Sequence, residues 1–185
     1  MPRIALYGRP GAGKSTLAKL LDEEFQRAGV PVCRVRLGAP LYELQSLVYA
    51  VAGRPLVDES VQDGPLLNAL GAALRRINSQ ALTAPFTASV EQAEQQYPQV
   101  ALICDDMRAP DLEAVTRLGF RLVEVTAPEQ LRLQRKEARP DLAAGDDHHS
   151  TEAAIVATSW QRVENSGTLG DLRRTAQDLL REVLR

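Results

Sequence analysis

The stretch YGRPGAGKSTL, Tyr7 to Leu17, fits GxxxxGK[ST] with Gly8, Gly13, Lys14 and Ser15 in the fixed places. The intervening Gly11 and Ala12 keep the loop almost without side chains. Consecutive backbone N–H groups can then turn inward around an anion at a helix N-terminus. The context is the one this motif demands, since the stretch follows a predicted strand, Arg3 to Tyr7, and opens a predicted helix, Lys14 to Ala28. In such a cradle Lys14 would reach the β- and γ-phosphates of a nucleoside triphosphate, the Ser15 hydroxyl would ligate Mg²⁺, and Thr16 would support the helix start. A ligand-free glycine turn would leave Lys14 next to Ser15 unexplained.

Outward from this loop, short apolar runs alternate with segments whose apolar residues recur every three or four positions, the rhythm of a parallel α/β sheet. Leu17, Leu20, Leu21, Phe25 and Ala28 form one face of the first helix, which ends at Gly29. Val32 to Leu37 reads as a second strand, and Leu41, Leu44, Leu47, Val48 and Val51 mark a second helix. A loop rich in Pro, Asp and Gly runs to Gly64, after which Pro65 starts a helix with Leu66, Leu67, Leu70, Leu74 and Ile77 inward and Asp63 as N-cap. A helix near Ser89 to Gln96 precedes VALIC, Val100 to Cys104, an unbroken apolar run suited to a strand buried on both faces. Leu112, Val115 and Leu118 define a helix closed by Gly119, and Arg121 to Thr126 a further strand. Thr126-Ala-Pro-Glu129 resembles a capping box that opens a helix stopped by Pro140. DLAAGDDHHS is a polar loop, Arg162 to Glu164 a short fifth strand, and Leu172, Ala176, Leu179, Leu180, Val183 and Leu184 line a final helix.

The 185 residues suffice for one domain with its own core. A net charge of −2 supplies no general attraction to nucleic acid or anionic membrane, so affinity for phosphates must come from local clusters. Cys33 and Cys104 lie in apolar β-like runs, as buried thiols rather than a disulfide, which fits a reducing cytoplasm. No charged-then-apolar leader and no membrane-length apolar run is found, and a soluble cytoplasmic protein is expected.

Three further constellations carry chemistry. ICDDMR delivers Asp105 and Asp106 at the carboxyl end of an apolar strand, where open α/β sheets bind ligands. A carboxylate there can hold Mg²⁺, the expectation for Asp105 together with Ser15, while Arg108 would neutralise a transferring phosphoryl group or the acceptor's phosphate. The alternative is a turn with solvated acids. LRLQRKEARP places Arg132, Arg135, Lys136 and Arg139 on one helical face with only Glu129 as an intrahelical acid in reach. Such a stripe repels itself and invites an external anion, as a lid over polyphosphate would supply; a solvated face paired with Asp141, Asp146 or Asp147 is the plainer reading. Arg75 and Arg76 end an apolar helix, suited either to gripping an acceptor phosphate or to the helix C-terminus. His148 and His149 lack the spacing of a zinc site and are given no role.

Taken together, GRPGAGKS, GAPLYELQ, QDGPLLNALGAALRRIN, DDMR, GDDHHSTE and VENSGTLGDL resemble the P-loop kinases of the nucleoside monophosphate kinase group, and within it the phage-type deoxynucleoside monophosphate kinases. Only the first motif is highly specific; Asp106-Met-Arg108 matches the group's Asp-x-Arg pattern. The resemblance implies a three-layer P-loop α/β fold with a five-stranded parallel sheet, helices on both faces and a helical lid. It implies one domain over 1–185, with an acceptor-binding insertion over 38–98 and a lid over 129–150. ATP would sit on Gly8, Arg9, Pro10, Gly11, Ala12, Gly13, Lys14, Ser15 and Thr16, with Asn165 near the base. Arg135 and Arg139 would act from the lid on the donor and the transferring group. Arg75, Arg76, Asp63 and Arg108 would bind the acceptor. The implied partners are a small-molecule nucleotide acceptor and, in assembly, a homodimeric second copy; nucleic acid and membrane are not expected.

The reaction so implied passes ATP's γ-phosphoryl in line to the phosphate of a (deoxy)nucleoside 5′-monophosphate, modified ones included. That acceptor is already an anion and needs no general base, so positioning and charge neutralisation suffice. Two alternatives stay open: a small-molecule kinase with a dephospho-coenzyme A-like or alcohol acceptor, for which Asp105 or Asp106 would be the base, and a nucleotide-dependent ATPase switch. No NKxD stretch supports a GTPase.

Overall fold

A computed structural model describes residues 1–58, 61–138, 142–143 and 155–185. Five strands pair in parallel in the order β2-β3-β1-β4-β5: β1 is Arg3–Tyr7, β2 Val32–Arg34, β3 Ala101–Cys104, β4 Arg121–Thr126 and β5 Gln161–Glu164. Between them run α1 (Lys14–Arg27), α2 (Ala39–Val51), α3 (Gly64–Ile77), α4 (Thr83–Gln96), α5 (Leu112–Arg117), α6 (Glu129–Glu137) and α7 (Leu169–Val183). Helices α2, α3 and α4 together fill the connection between β2 and β3.

The strand period of two divides the core into two layers. Ile4, Leu6, Ile103, Val123 and Val125 face α1 and α7, where Leu17, Leu21, Phe25, Leu172, Ala176 and Leu179 meet them. Ala5, Tyr7, Leu102, Cys104 and Leu122 face the other way, onto Phe86 and Val90 of α4 and Val115 of α5. Strand β3 and the Ile4 to Tyr7 run of β1 are therefore apolar throughout, as helices on both faces require. The register sets Ile4 opposite Ile103 and Arg121, which aligns the carboxyl ends of β1, β3 and β4 along one rim of the sheet.

Several boundaries differ from those read in the sequence. Strand β2 ends at Arg34 rather than Leu37, because after Val35 bonds to Ile103 O the amides of Leu37 and Gly38 turn to a side chain, Asp106. Helix α4 begins at Thr83, well before Ser89; Pro85 sits in its first turn, where a missing N–H costs nothing, and Phe86 anchors it to the core. Asp63 does cap α3, its Oδ1 accepting from Leu66 N at 3.1 Å. Ile77 does not point inward and is 72% exposed. Thr126 forms no cap for α6: it is paired in β4 and its hydroxyl donates to Val163 O, so α6 starts beyond Pro128 without a side-chain cap. Cys104 is buried, Cys33 half-buried, and both are free thiols. No helix among the described residues is long and apolar enough to cross a membrane.

Candidate active site

The glycine loop lies between β1 and α1, and neighbouring chain closes tightly around it. Gly11 and Gly13 both have positive φ, 79° and 99°, where L side chains are strained. A Cβ on Gly11 would also strike the Arg132 carbonyl, and one on Gly13 the Asn165 amide. Two buried polar side chains fix this geometry. Arg132, 4% exposed, donates from Nη1 to Pro10 O at 3.0 Å, and Asn165 Nδ2 donates to Ala12 O at 2.9 Å. Arg135 donates to Asn165 O at 3.2 Å, and its guanidinium stands near Gly13. Lys14 Nζ bridges the loop by donating to Gly8 O at 2.7 Å and Arg9 O at 3.3 Å.

A cleft of about 460 Å³ opens from this loop. Pro10, Gly11, Gly13, Lys14 and Ser15 form one end of it. Asp105, Asp106 and Arg108 contribute from beyond β3, and Arg34, Arg36, Leu37 and Gly38 from the end of β2. The far wall mixes apolar Leu41, Leu67 and Leu82 with Tyr42, Gln62, Asn68 and Arg75, while Lys136 and Ala143 reach in from the α6 side.

Four aspartates line this cleft, Asp58, Asp105, Asp106 and Asp111, and the last three hold its elements together. Asp105, 6% exposed, accepts from Arg34 Nη2 at 2.6 Å. Asp106 accepts from Leu37 N at 3.0 Å and Gly38 N at 2.9 Å, tying the start of α2 to the end of β3. Burial pushes the Asp106 carboxyl above its ordinary range, against the pull of the Gly38 and Leu37 amides. Asp111, 1% exposed, receives both of its oxygens' bonds from Arg75 Nη2, at 2.9 and 3.1 Å, and one oxygen also accepts from Arg108 N.

The acceptor-side wall is held by side chains. Gln45, wholly buried, donates to Val61 O and accepts from Asp63 N, both at 2.8 Å. Gln62 donates to Tyr42 Oη at 2.7 Å, and Arg36 lies 6.0 Å from the Tyr42 ring centroid. Burial, chiefly, raises the Tyr42 hydroxyl pKa, which keeps its proton available.

The expected site residues divide accordingly. The loop from Pro10 to Ser15, with Asp105, Asp106, Arg108 and Arg75, gathers at one cleft, although Ala12 itself is buried beneath the loop. Arg9 faces a separate cavity behind the loop, and Thr16 is exposed on the first turn of α1. Arg76 is exposed and does not line the cleft, its neighbour Arg75 taking the inward position. Asp63 also stays out of the lining: its carboxylate is consumed by Leu66 N and by Tyr49 Oη at 2.7 Å. Asp106 serves the β2–α2 loop, and Asn165 is a strut under the glycine loop rather than a side chain presented to a base. Of the basic stripe, Lys136 lines the cleft, whereas Arg132 and Arg135 brace the glycine loop and its support. Arg139, His148 and His149 fall outside the described residues. Arg34, Arg36, Tyr42, Gln62, Asn68 and Asp111 were not singled out from the sequence. The signal for two of them was there, since Arg34 and Arg36 alternate on one face at the carboxyl end of a strand, where parallel sheets place their ligands.

Comparison with solved structures decides what this arrangement belongs to. TT1252 from Thermus thermophilus superposes with a TM-score of 0.58 at 25% identity, covering 98% of this chain and 97% of that one. The Mycobacterium tuberculosis APS kinase CysC, in complex with AMPPNP and APS, gives 0.53 at 14%, covering 98% and 99%. Shikimate kinase from Acinetobacter baumannii, in complex with shikimate, gives 0.52 at 16%, covering 100% and 93%. The chain has the fold of the P-loop kinases. No family model and no curated protein sequence matches it.

For a divalent cation, the expected donors, the Ser15 hydroxyl and the Asp105 carboxylate, both line the cleft, with Arg34 as the partner of Asp105. These are hard oxygen ligands, and among the described residues no three His, Cys, Asp or Glu side chains gather to form a cage. That fits Mg²⁺, which favours one or two protein oxygens plus substrate phosphates over an all-protein site.

Proposed function

We propose that the protein transfers the γ-phosphoryl group of ATP to the phosphate of a nucleoside or deoxynucleoside 5′-monophosphate, modified nucleotides included. The observation that carries this reading is the single cleft with the glycine loop at one end and Arg34, Arg36, Arg75 and Arg108 around the rest. Backbone N–H groups of Gly11, Gly13, Lys14 and Ser15 would hold the donor's β- and γ-phosphates, and Lys14 would exchange its loop carbonyls for their oxygens. Ser15 and Asp105 would hold Mg²⁺, which supplies charge neutralisation on the phosphates. Arg108 and Arg75, with Lys136 from α6, would orient and neutralise the acceptor phosphate and the group in flight.

An alcohol acceptor is disfavoured by the same geometry. It needs a base, yet Asp106 is tied to two amides and Asp111 to Arg75, and Asp105 is taken either by Arg34 or, in this reading, by the cation. A phosphate acceptor needs none. Leu41, Leu67 and Leu82 offer apolar walls for a flat base, and Tyr42, Gln62 and Asn68 offer polar atoms for its edges. The test is ADP release from ATP-Mg²⁺ with each common ribo- and deoxynucleoside monophosphate in turn, beside a no-acceptor control. Stimulation by one or a few, with the matching diphosphate formed, is the expected result; equal rates with and without every monophosphate would overturn the assignment.

A further inference from the structure

Arg34 has an unusual position among the cleft arginines. It closes β2 and reaches the end of the neighbouring β3, where Nη2 donates to Asp105 Oδ2 at 2.6 Å. Its side chain is about a quarter exposed and lines the cleft, while its Nε is buried with no hydrogen-bond partner. Buried guanidinium donors are normally satisfied, and a move of the Arg34 guanidinium out into the cleft would relieve the cost of the unpartnered Nε. Two of the other cleft arginines are held elsewhere. Arg75 is locked on the buried Asp111, which would be left as an unpaired charge if Arg75 moved away, and Arg36 stands over Tyr42.

Asp105 is also the carboxylate available to a cation, so Arg34 and the cation compete for one group. Resting on the kinase reading above, we propose that Arg34 senses the acceptor: it holds Asp105 until an acceptor phosphate arrives, then passes to that phosphate and releases Asp105 to the metal. The charges balance at each stage. Guanidinium faces carboxylate first; afterwards guanidinium faces phosphate and carboxylate faces cation, and no buried ion is left unpaired. Because the two contacts exclude each other, anything that draws Arg34 away strengthens the cation's hold, and the cation in turn strengthens acceptor binding. The donor is then fully armed only when an acceptor is present, which suppresses transfer to water.

The experiment measures Mn²⁺ binding, by electron paramagnetic resonance, to the AMPPNP-loaded protein with and without the monophosphate that best stimulates ADP release. In wild type the monophosphate tightens Mn²⁺ binding by about tenfold. Arg34→Gln binds Mn²⁺ about tenfold more tightly without monophosphate and gains nothing on adding it. Arg34→Lys keeps a charge opposite Asp105 but lacks the fork, so its Mn²⁺ affinity without monophosphate stays near wild type while the tightening is lost and the acceptor KM rises. This second variant serves if Arg34→Gln does not fold. Equal Mn²⁺ affinities in wild type and both variants, unaffected by monophosphate, overturn the proposal even if the protein proves to be a nucleotide kinase. Failure of every monophosphate to stimulate ADP release overturns the kinase reading, and the sensing role falls with it.

Discussion

The two ends of the cleft are built differently. At the donor end, backbone meets backbone: glycines with positive φ pack against the carbonyl of Arg132 and the amide of Asn165, over a floor of wholly buried residues such as Ala12, Leu17 and Ile4. At the acceptor end, α2 buries only Gln45 and α3 only Gly71, and side-chain hydrogen bonds from Gln45, Tyr49 and Gln62 do the holding. Leu47, Val51 and Ile77 of these two helices face solvent. A triphosphate looks the same in every kinase, so its cradle can be made of backbone and set rigidly. An acceptor must be told from its relatives, and side chains on lightly packed helices can be exchanged or moved without disturbing the core.

The contrast can be broken most severely at its rigid end. Lys14→Ala should lower kcat by about a hundred- to a thousandfold while the melting temperature shifts by less than about 2 °C, since the ammonium donates to carbonyls of the loop, Gly8 O and Arg9 O, outside the hydrophobic core. A variant that turns over at the wild-type rate would remove the donor assignment. Gly13→Ala forces a side chain onto φ 99° and into Asn165, and calorimetry should show AMPPNP binding weakened by more than about tenfold.

Two changes sharpen the acceptor side. Arg75→Ala should raise the acceptor KM by about ten- to a hundredfold, and Arg76→Ala, one residue on but outside the cleft, by less than about twofold. Equal effects of the two would mean that α3 is rotated from the position described. Gln45→Ala removes the ties to Val61 and Asp63 and should cost about 1–3 kcal/mol of stability in urea, with a raised acceptor KM and an unchanged AMPPNP affinity. A matching loss of AMPPNP affinity would show that the two ends are not separate.

The smallest effect lies far from both. The Thr168 hydroxyl and amide hold the Asp171 carboxyl below its usual range in the cap of α7. Thr168→Ala should lower the melting temperature by about 2–4 °C at neutral pH. A carboxyl with a depressed folded pKa stabilises above its unfolded value, near 3.9, and that contribution fades as pH falls through the folded value. The deficit of the variant should therefore shrink below about pH 4.

What the sequence disclosed follows the same division. Val100 to Cys104 is apolar at every position because both faces are covered, and the glycine loop is legible because its chemistry resides in the absence of side chains. The β1, α1 and β4 elements were read from such patterns nearly to their ends. Long-range pairings leave no local trace. Nothing near Arg75 announces Asp111, 36 residues on, and Asp106 carries no mark that it will end β2 by taking the amides of Leu37 and Gly38. Asn165 was expected at the nucleotide on family likeness, and its buried contact with Ala12 gives it a different duty in the same neighbourhood. The first half of α4 went unread because Thr83, Pro85 and Thr87 weaken the helical pattern that Phe86 and Val90 complete only once the core is present.

The strand that carries the glycine loop is also the middle one of the sheet, and both of its partners, β3 and β4, come from the second half of the chain. During synthesis at about 5–20 residues per second, the apolar run Ile4 to Tyr7 therefore waits some 5–20 s before Ile103 exists to pair with it. Until then the newborn chain can form helices but not its central sheet, and its earliest apolar segment is the one left longest without a neighbour.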